Sequence, residues 1–171
     1  MASIGILKTF NFFASIPLVG RYLLSWVVML ISPYTGKTSV IYLQMIGTIP
    51  MRIDSITETS CKSTLLDSIW AFSWITKNPF RSHHAAALTN YGEATQGYAV
   101  LAFCEINSLR AIPTKLTIEF HAKAKGNLSA ECKLPSDFVK YKAVDKPLIA
   151  VSSIYNSSGQ KVCTVTGQWK I

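Results

Sequence analysis

Asn78, His83, His84 and Glu93 lie within the stretch "NPFRSHHAAALTNYGE", which holds two of the three histidines of the chain. Histidine and carboxylate are the residue types of acid–base chemistry, and here they flank a run of small, apolar residues. Two readings stand side by side. The stretch is a catalytic element, or it is the buried helix of a small domain, with Glu93 exposed or paired with a base such as Arg81 or Lys77. His83 reads as a solvated or loop-packing residue and His121, on a strand, as structural.

The elements that must position these residues follow from periodicity. From Ser82 to about Phe103 there is no proline, and Leu88, Tyr91, Thr95, Ala99 and Ala102 recur every three or four residues, as on the inner stripe of a helix. Ser82 is the expected N-cap. Ala85, Ala86, Ala87, Gly92 and Gly97 make this helix slim. Before it, "SVIYLQMIGTIPMRI" and "TLLDSIWAFSWIT" read as strands, with Trp70, Phe72 and Trp74 on one face. After it, "TKLTIEFHAKAKG" alternates, Leu116, Ile118 and Phe120 against Lys115, Glu119 and His121. "NLSAECKL", "PLIAVSSIYN" and "QKVCTVTGQWKI" continue as strands, with "NSSG" at 156–159 a hairpin turn. A long helix followed by about four strands predicts an α+β domain with the helix laid on one antiparallel sheet.

Composition narrows the classes. At 171 residues and 49% hydrophobic, the chain can bury a sizeable core. A net charge of +8 favours an anionic partner, but no dense Lys/Arg run or nucleic-acid-binding signature accompanies it, so nucleic acid is not expected. Cys61, Cys104, Cys132 and Cys163 are isolated and read as buried, reduced thiols, with no metal-ligand spacing. Residues 1–53 contain no Asp or Glu, and their apolar run is broken by Pro17, Gly20 and Arg21. The division expected is an apolar helical N-terminal extension, 1–37, ending in a turn at 33–37, and a domain at 38–171. The extension is an amphipathic packing helix, an interfacial membrane helix touching lipid through residues 10–32, or a mitochondrial targeting region. The localisation expected is mitochondrial, with cytoplasmic as the alternative.

Asn78, six residues before His84, and Glu93, nine after it, resemble the N-x5-H-G-G-x7-D/E signature of hotdog-fold acyl-CoA thioesterases of the phenylacetyl-CoA type, with Ala85 and Ala86 in place of the two glycines. The order of elements also resembles that fold, a long central helix wrapped by an antiparallel sheet. The resemblance implies that Glu93 is the catalytic carboxylate, as general base or nucleophile, and that Asn78 positions water or the substrate carbonyl. It implies that the backbone N–H of Ala85 belongs to an oxyanion hole and that His84 shapes the loop. A further Ser or Thr after the helix is sought among Thr114 and Ser108 without assignment. The substrate implied is a coenzyme A thioester, its phosphates facing lysines such as Lys123, Lys125 and Lys133, and no other cofactor is implied.

Helix geometry adds a constraint. Nine residues at about 1.5 Å and 100° each put Glu93 roughly 13 Å from the start of the helix and on the opposite face. A site using both ends needs a second, antiparallel helix, hence a homodimer or a heterodimer with a related hotdog subunit. The function expected is hydrolysis or binding of acyl-CoA thioesters. The alternative is a catalytically inactive hotdog-derived subunit of a larger, mitochondrial membrane-associated complex.

Overall fold

The computed structural model describes residues 49, 51–67, 76–135 and 146–171. The extension 1–37, its turn, the boundary at 38 and the aromatic trio Trp70, Phe72 and Trp74 lie outside the described residues. Six strands form one antiparallel sheet in the order β1-β2-β4-β5-β6-β3. In chain order these are β1 (Met51–Ile56), β2 (Ser60–Leu65), β3 (Ile112–Phe120), β4 (Leu128–Lys133), β5 (Leu148–Asn156) and β6 (Lys161–Lys170), with one long helix, α1 (Ala85–Ile106), between β2 and β3. Among the described helices none is long and apolar enough to cross a membrane.

Alternation decides which residues face α1. Cys61, Ser63 and Leu65 of β2 point inward, as do Leu128, Ala130 and Cys132 of β4 and Leu148, Ala150, Ser152 and Ile154 of β5. Register aligns them into rows across the sheet: Cys61 opposite Cys132, Cys132 opposite Ser152, and Ser152 opposite Val165. The helix lies on these rows, so its buried residues include not only the expected Leu88, Tyr91, Thr95 and Ala99 but every position from Tyr91 to Val100. Ala102 is half-buried.

Three of the side chains caught in this interface, Ser63, Tyr91 and Thr95, are bonded across it. The Tyr91 hydroxyl is 2.8 Å from the Ser63 carbonyl oxygen and 3.2 Å from that of Leu128, and the Ser63 and Thr95 hydroxyls meet at 2.8 Å. Left unpaired, each such group would cost about 1–3 kcal/mol, so the seam fixes the helix's register as well as its depth.

The cap differs from expectation. His84, not Ser82, is the N-cap: its backbone is extended and its Nδ1 accepts from the Ala86 N–H at 3.1 Å. Ser82 is buried in the preceding loop, where its N–H and hydroxyl both bond Asn78 Oδ1. At the other end α1 runs past Phe103 to Ile106 and closes through Asn107, whose side-chain amide donates to the Phe103 carbonyl at 2.9 Å, and through Ser108 in the left-handed region (φ 53°). Of the two segments expected as strands before the helix, β1 includes the end of the first, residues 51–53, and β2 the start of the second, Thr64 and Leu65, and most of the remainder of both lies outside the described residues. The hairpin at Asn156–Gly159 is present, with Gly159 at φ 78° and Asn156 Oδ1 accepting from the Ser158 and Gln160 N–H groups.

Candidate active site

The loop leading into α1 is folded around Asn78. Its Oδ1 accepts from the Phe80 and Ser82 N–H groups and the Ser82 hydroxyl, and its carbonyl accepts from Arg81, which sits at φ 58°. Asn78 therefore spends its side-chain oxygen on the loop. The loop is clasped from outside. Lys77 Nζ meets Asp67 at 2.7 Å, the Asp67 N–H donates to Asn127 Oδ1 at 2.8 Å, and the His83 N–H donates to the Ala124 carbonyl at 2.8 Å. The His83 ring is buried, its Nε2 2.9 Å from the Gly126 carbonyl. A carbonyl only accepts, so Nε2 carries the proton.

These bonds present the helix N-terminus to solvent. Ala86 N–H is taken by the His84 ring, while the N–H of Ala85, at an exposed position, donates to no described group. An unpaired first-turn N–H, reinforced by the helix dipole, is suited to polarise a carbonyl oxygen. Lys123 and Lys125 are exposed on either side of Ala124, beside this end of the helix. Lys133 is engaged with Glu131 at 3.1 Å. Thr114 bonds the Gln168 carbonyl at the sheet edge, Ser108 belongs to the turn ending α1, and His121 pairs with Thr164. All four cysteines are buried and free.

Glu93 lies two turns further along. It is 6% exposed, its Oε2 has no hydrogen-bond partner among the described residues, and burial raises its pKa from 4.5 to about 7. The pairing with Arg81 or Lys77 weighed from sequence does not occur: Lys77 serves Asp67, and no ion pair to Glu93 exists among the described residues. Neutral and charged forms are thus nearly balanced at pH 7, the condition of an effective proton acceptor. From Ala85 to Glu93 the helix rises about 12 Å, so one chain does not bring the two groups to one carbonyl.

Three residues with polar groups beside this stripe were not found from sequence. Gln96, one turn after Glu93, and Trp169 are fully buried, and the amide of the first and the indole N–H of the second have no partner. Both crowd Gly167, where a Cβ would stand 2.7 Å from Gln96 Oε1 and from Trp169 Nε1. Ser152, also fully buried, donates to the Gly92 carbonyl at 2.7 Å. The strands of Ser152 and Trp169 and the helix of Gln96 were legible, but a polar residue at an inward position carries no signal of which atoms it meets across the interface.

Over residues 20–171 the chain matches the family described as a domain of unknown function, DUF4442. No curated protein matches it. Among solved structures it is similar to the PaaI protein of E. coli from the phenylacetic acid degradation operon, at 15% identity and TM-score 0.59, covering 90% of this chain and 99% of that one. A phenylacetic acid degradation-related protein of Ralstonia eutropha JMP134 is similar at 17% identity and TM-score 0.60, covering 75% and 89%. A hypothetical thioesterase protein with coenzyme A from Streptococcus pneumoniae TIGR4 is similar at 13% identity and TM-score 0.59, covering 76% and 93%. The chain has the hotdog fold, and the resemblance drawn from the Asn78, His84 and Glu93 spacing holds at the level of that fold.

Proposed function

The chain belongs to the family DUF4442, and on that premise we propose that it hydrolyses acyl-coenzyme A thioesters as a dimer. The observation that carries this reading is Glu93, a carboxyl buried in mid-helix with no cation beside it among the described residues and a pKa raised by burial to about 7. Burying a carboxyl at such a place works against folding, and a base is what it supplies in return. The thioesterase and coenzyme A descriptions of its structural neighbours support the substrate class.

In this reading Glu93 takes a proton from water as the water oxygen bonds to the thioester carbon. The charge that develops on the carbonyl oxygen faces the Ala85 N–H of a second copy, whose helix runs antiparallel. Collapse breaks the C–S bond, and the leaving thiolate takes the proton back from Glu93, giving free acid and coenzyme A. The same carboxylate is placed to act as nucleophile, through an anhydride that water then opens. Label from H2¹⁸O entering Glu93 distinguishes this route. Lys123 and Lys125 are free to meet phosphates. The second copy docks at β3, which among the described residues is an edge strand with Leu116 and Phe120 exposed. A related hotdog subunit could replace the second copy without changing this geometry. The alternative of a non-catalytic, mitochondrial membrane-associated subunit rests on the N-terminal extension, which lies outside the described residues.

The test is to purify the protein, determine its mass and assay release of free thiol from acyl-CoAs of several chain lengths. The expected result is a dimer with slow hydrolysis that rises through pH 7, and loss of about 10²–10⁴-fold in Glu93→Ala. A pure dimer that turns over no acyl-CoA of any length ends the proposal.

A further inference from the structure

We propose that Ser152 is a positioning residue for Glu93, holding the helix at the depth that keeps this carboxyl out of water. The inference rests on Glu93 acting as the base. Ser152 stands on β5 directly beneath α1, fully buried, and its hydroxyl donates to the Gly92 carbonyl at 2.7 Å, at the peptide that joins Gly92 to Glu93. Beside it on β6, its register partner Val165 fills the space where a Cβ of Gly92 would be, 2.3 Å from that position. Two neighbouring strands thus grip the helix at one residue, one by a hydrogen bond and the other by contact with a bare Cα.

The grip is in step with the strand below. Gln96 stands over Gly167 as Gly92 stands over Val165. Four helical residues rise about 6 Å, close to the roughly 6.6 Å of two strand residues. Held there, Glu93 is turned 100° from the gripped residue. The Ser152 bond is additional to the helix, because the Gly92 carbonyl also accepts from the Gln96 N–H within α1. On its other side Ser152 is flanked by its register partner on β4, the buried Cys132. Removing the Ser152 hydroxyl leaves no buried donor stranded, and the fold keeps its ladder. What changes is how firmly α1 sits at residue 92. Among the described residues no charged side chain pairs with Glu93, and burial is what raises its proton affinity, so depth is the quantity that controls it.

The experiment uses the full chain with ¹³C-labelled glutamate. Carboxyl titration by NMR, kcat and KM are measured for wild type, Ser152→Ala and Ser152→Thr, with Glu93→Gln to assign the resonance. In Ser152→Ala the Glu93 midpoint falls by about one pH unit, kcat falls about tenfold and KM stays within twofold. Ser152→Thr, which keeps the hydroxyl, restores both. An unmoved midpoint in folded Ser152→Ala overturns the proposal, whether or not the melting temperature falls. If the midpoint moves but neither protein hydrolyses acyl-CoA, positioning stands and the hydrolase reading falls. If hydrolysis persists with midpoint and kcat unmoved, the reverse holds.

Discussion

β4 and β3 are written in the same grammar. In β4, Leu128, Ala130 and Cys132 alternate with Ser129, Glu131 and Lys133; in β3, Leu116, Ile118 and Phe120 alternate with Lys115, Thr117 and Glu119. Their fates differ. The inward residues of β4 are at most 3% exposed, whereas Leu116 is 40% and Phe120 54% exposed on the same face of the sheet. Register confirms that face, since Leu116, Ile118 and Phe120 lie opposite Gly167, Val165 and Cys163, all buried. The helix covers β4 and stops short of β3. Alternation therefore specifies that a side is apolar without specifying its cover, and among the described residues no helix lies over Leu116 and Phe120.

The contrast can be broken most severely on the covered side. Gly92→Ala drives a methyl into Val165, whose Cγ2 lies 2.3 Å from the added Cβ. Overpacking of this kind costs about 3 kcal/mol, read as a fall in the denaturant midpoint. A small loss would mean that helix and sheet are less tightly joined than this description has them.

Glu93 sharpens the comparison because it is a carboxyl buried on the covered side. Its folded pKa of about 7 lies above the ordinary 4.5, so the native state binds this proton more tightly than the unfolded chain does. The favourable contribution is complete below about pH 4.5 and is lost as pH rises through 7. Glu93→Gln removes that dependence, stabilising the protein by about 3 kcal/mol at pH 8 relative to its effect at pH 4. Equal effects in urea titrations at the two pH values would mean that the carboxyl is solvated.

The smallest effect on folding is expected on the bare side. Phe120→Arg places a charge on an exposed face and changes the stability of the single chain by about 0.5 kcal/mol or less. The expected outcome is that it converts the proposed dimer to monomer, read by light scattering, and abolishes the proposed hydrolysis. A variant that remains dimeric places the interface elsewhere.

Much of this was legible in the residues. The stripe Leu88, Tyr91, Thr95 and Ala99 identified α1, because helical period and side-chain size are local properties. The strands after it were legible for the same reason. The cap was misplaced because Ser82 and His84 both offer an acceptor, and the choice was made by Asn78 drawing Ser82 into its own loop. The spacing of Asn78, His84 and Glu93 led to the fold. It did not reveal that Glu93 is buried without a partner, since that depends on residues 59 and more positions away, such as Ser152 and Trp169. The exposure of Leu116 and Phe120 was equally hidden, because the sequence pattern of a covered strand and an uncovered one is identical.

The cysteines give the covered region a clock. Cys104 and Cys163 have thiols pushed up to about 11 and Cys132 to about 12, and Cys61 is raised further, all chiefly by burial. Native thiols of this kind do not react with a disulfide reagent until the structure around them opens. Cys61 and Cys132 face each other across the β2–β4 seam, while Cys163 lies opposite Phe120 at the uncovered flank. The order in which the four are labelled is thus a record of which seam of the molecule loosens first.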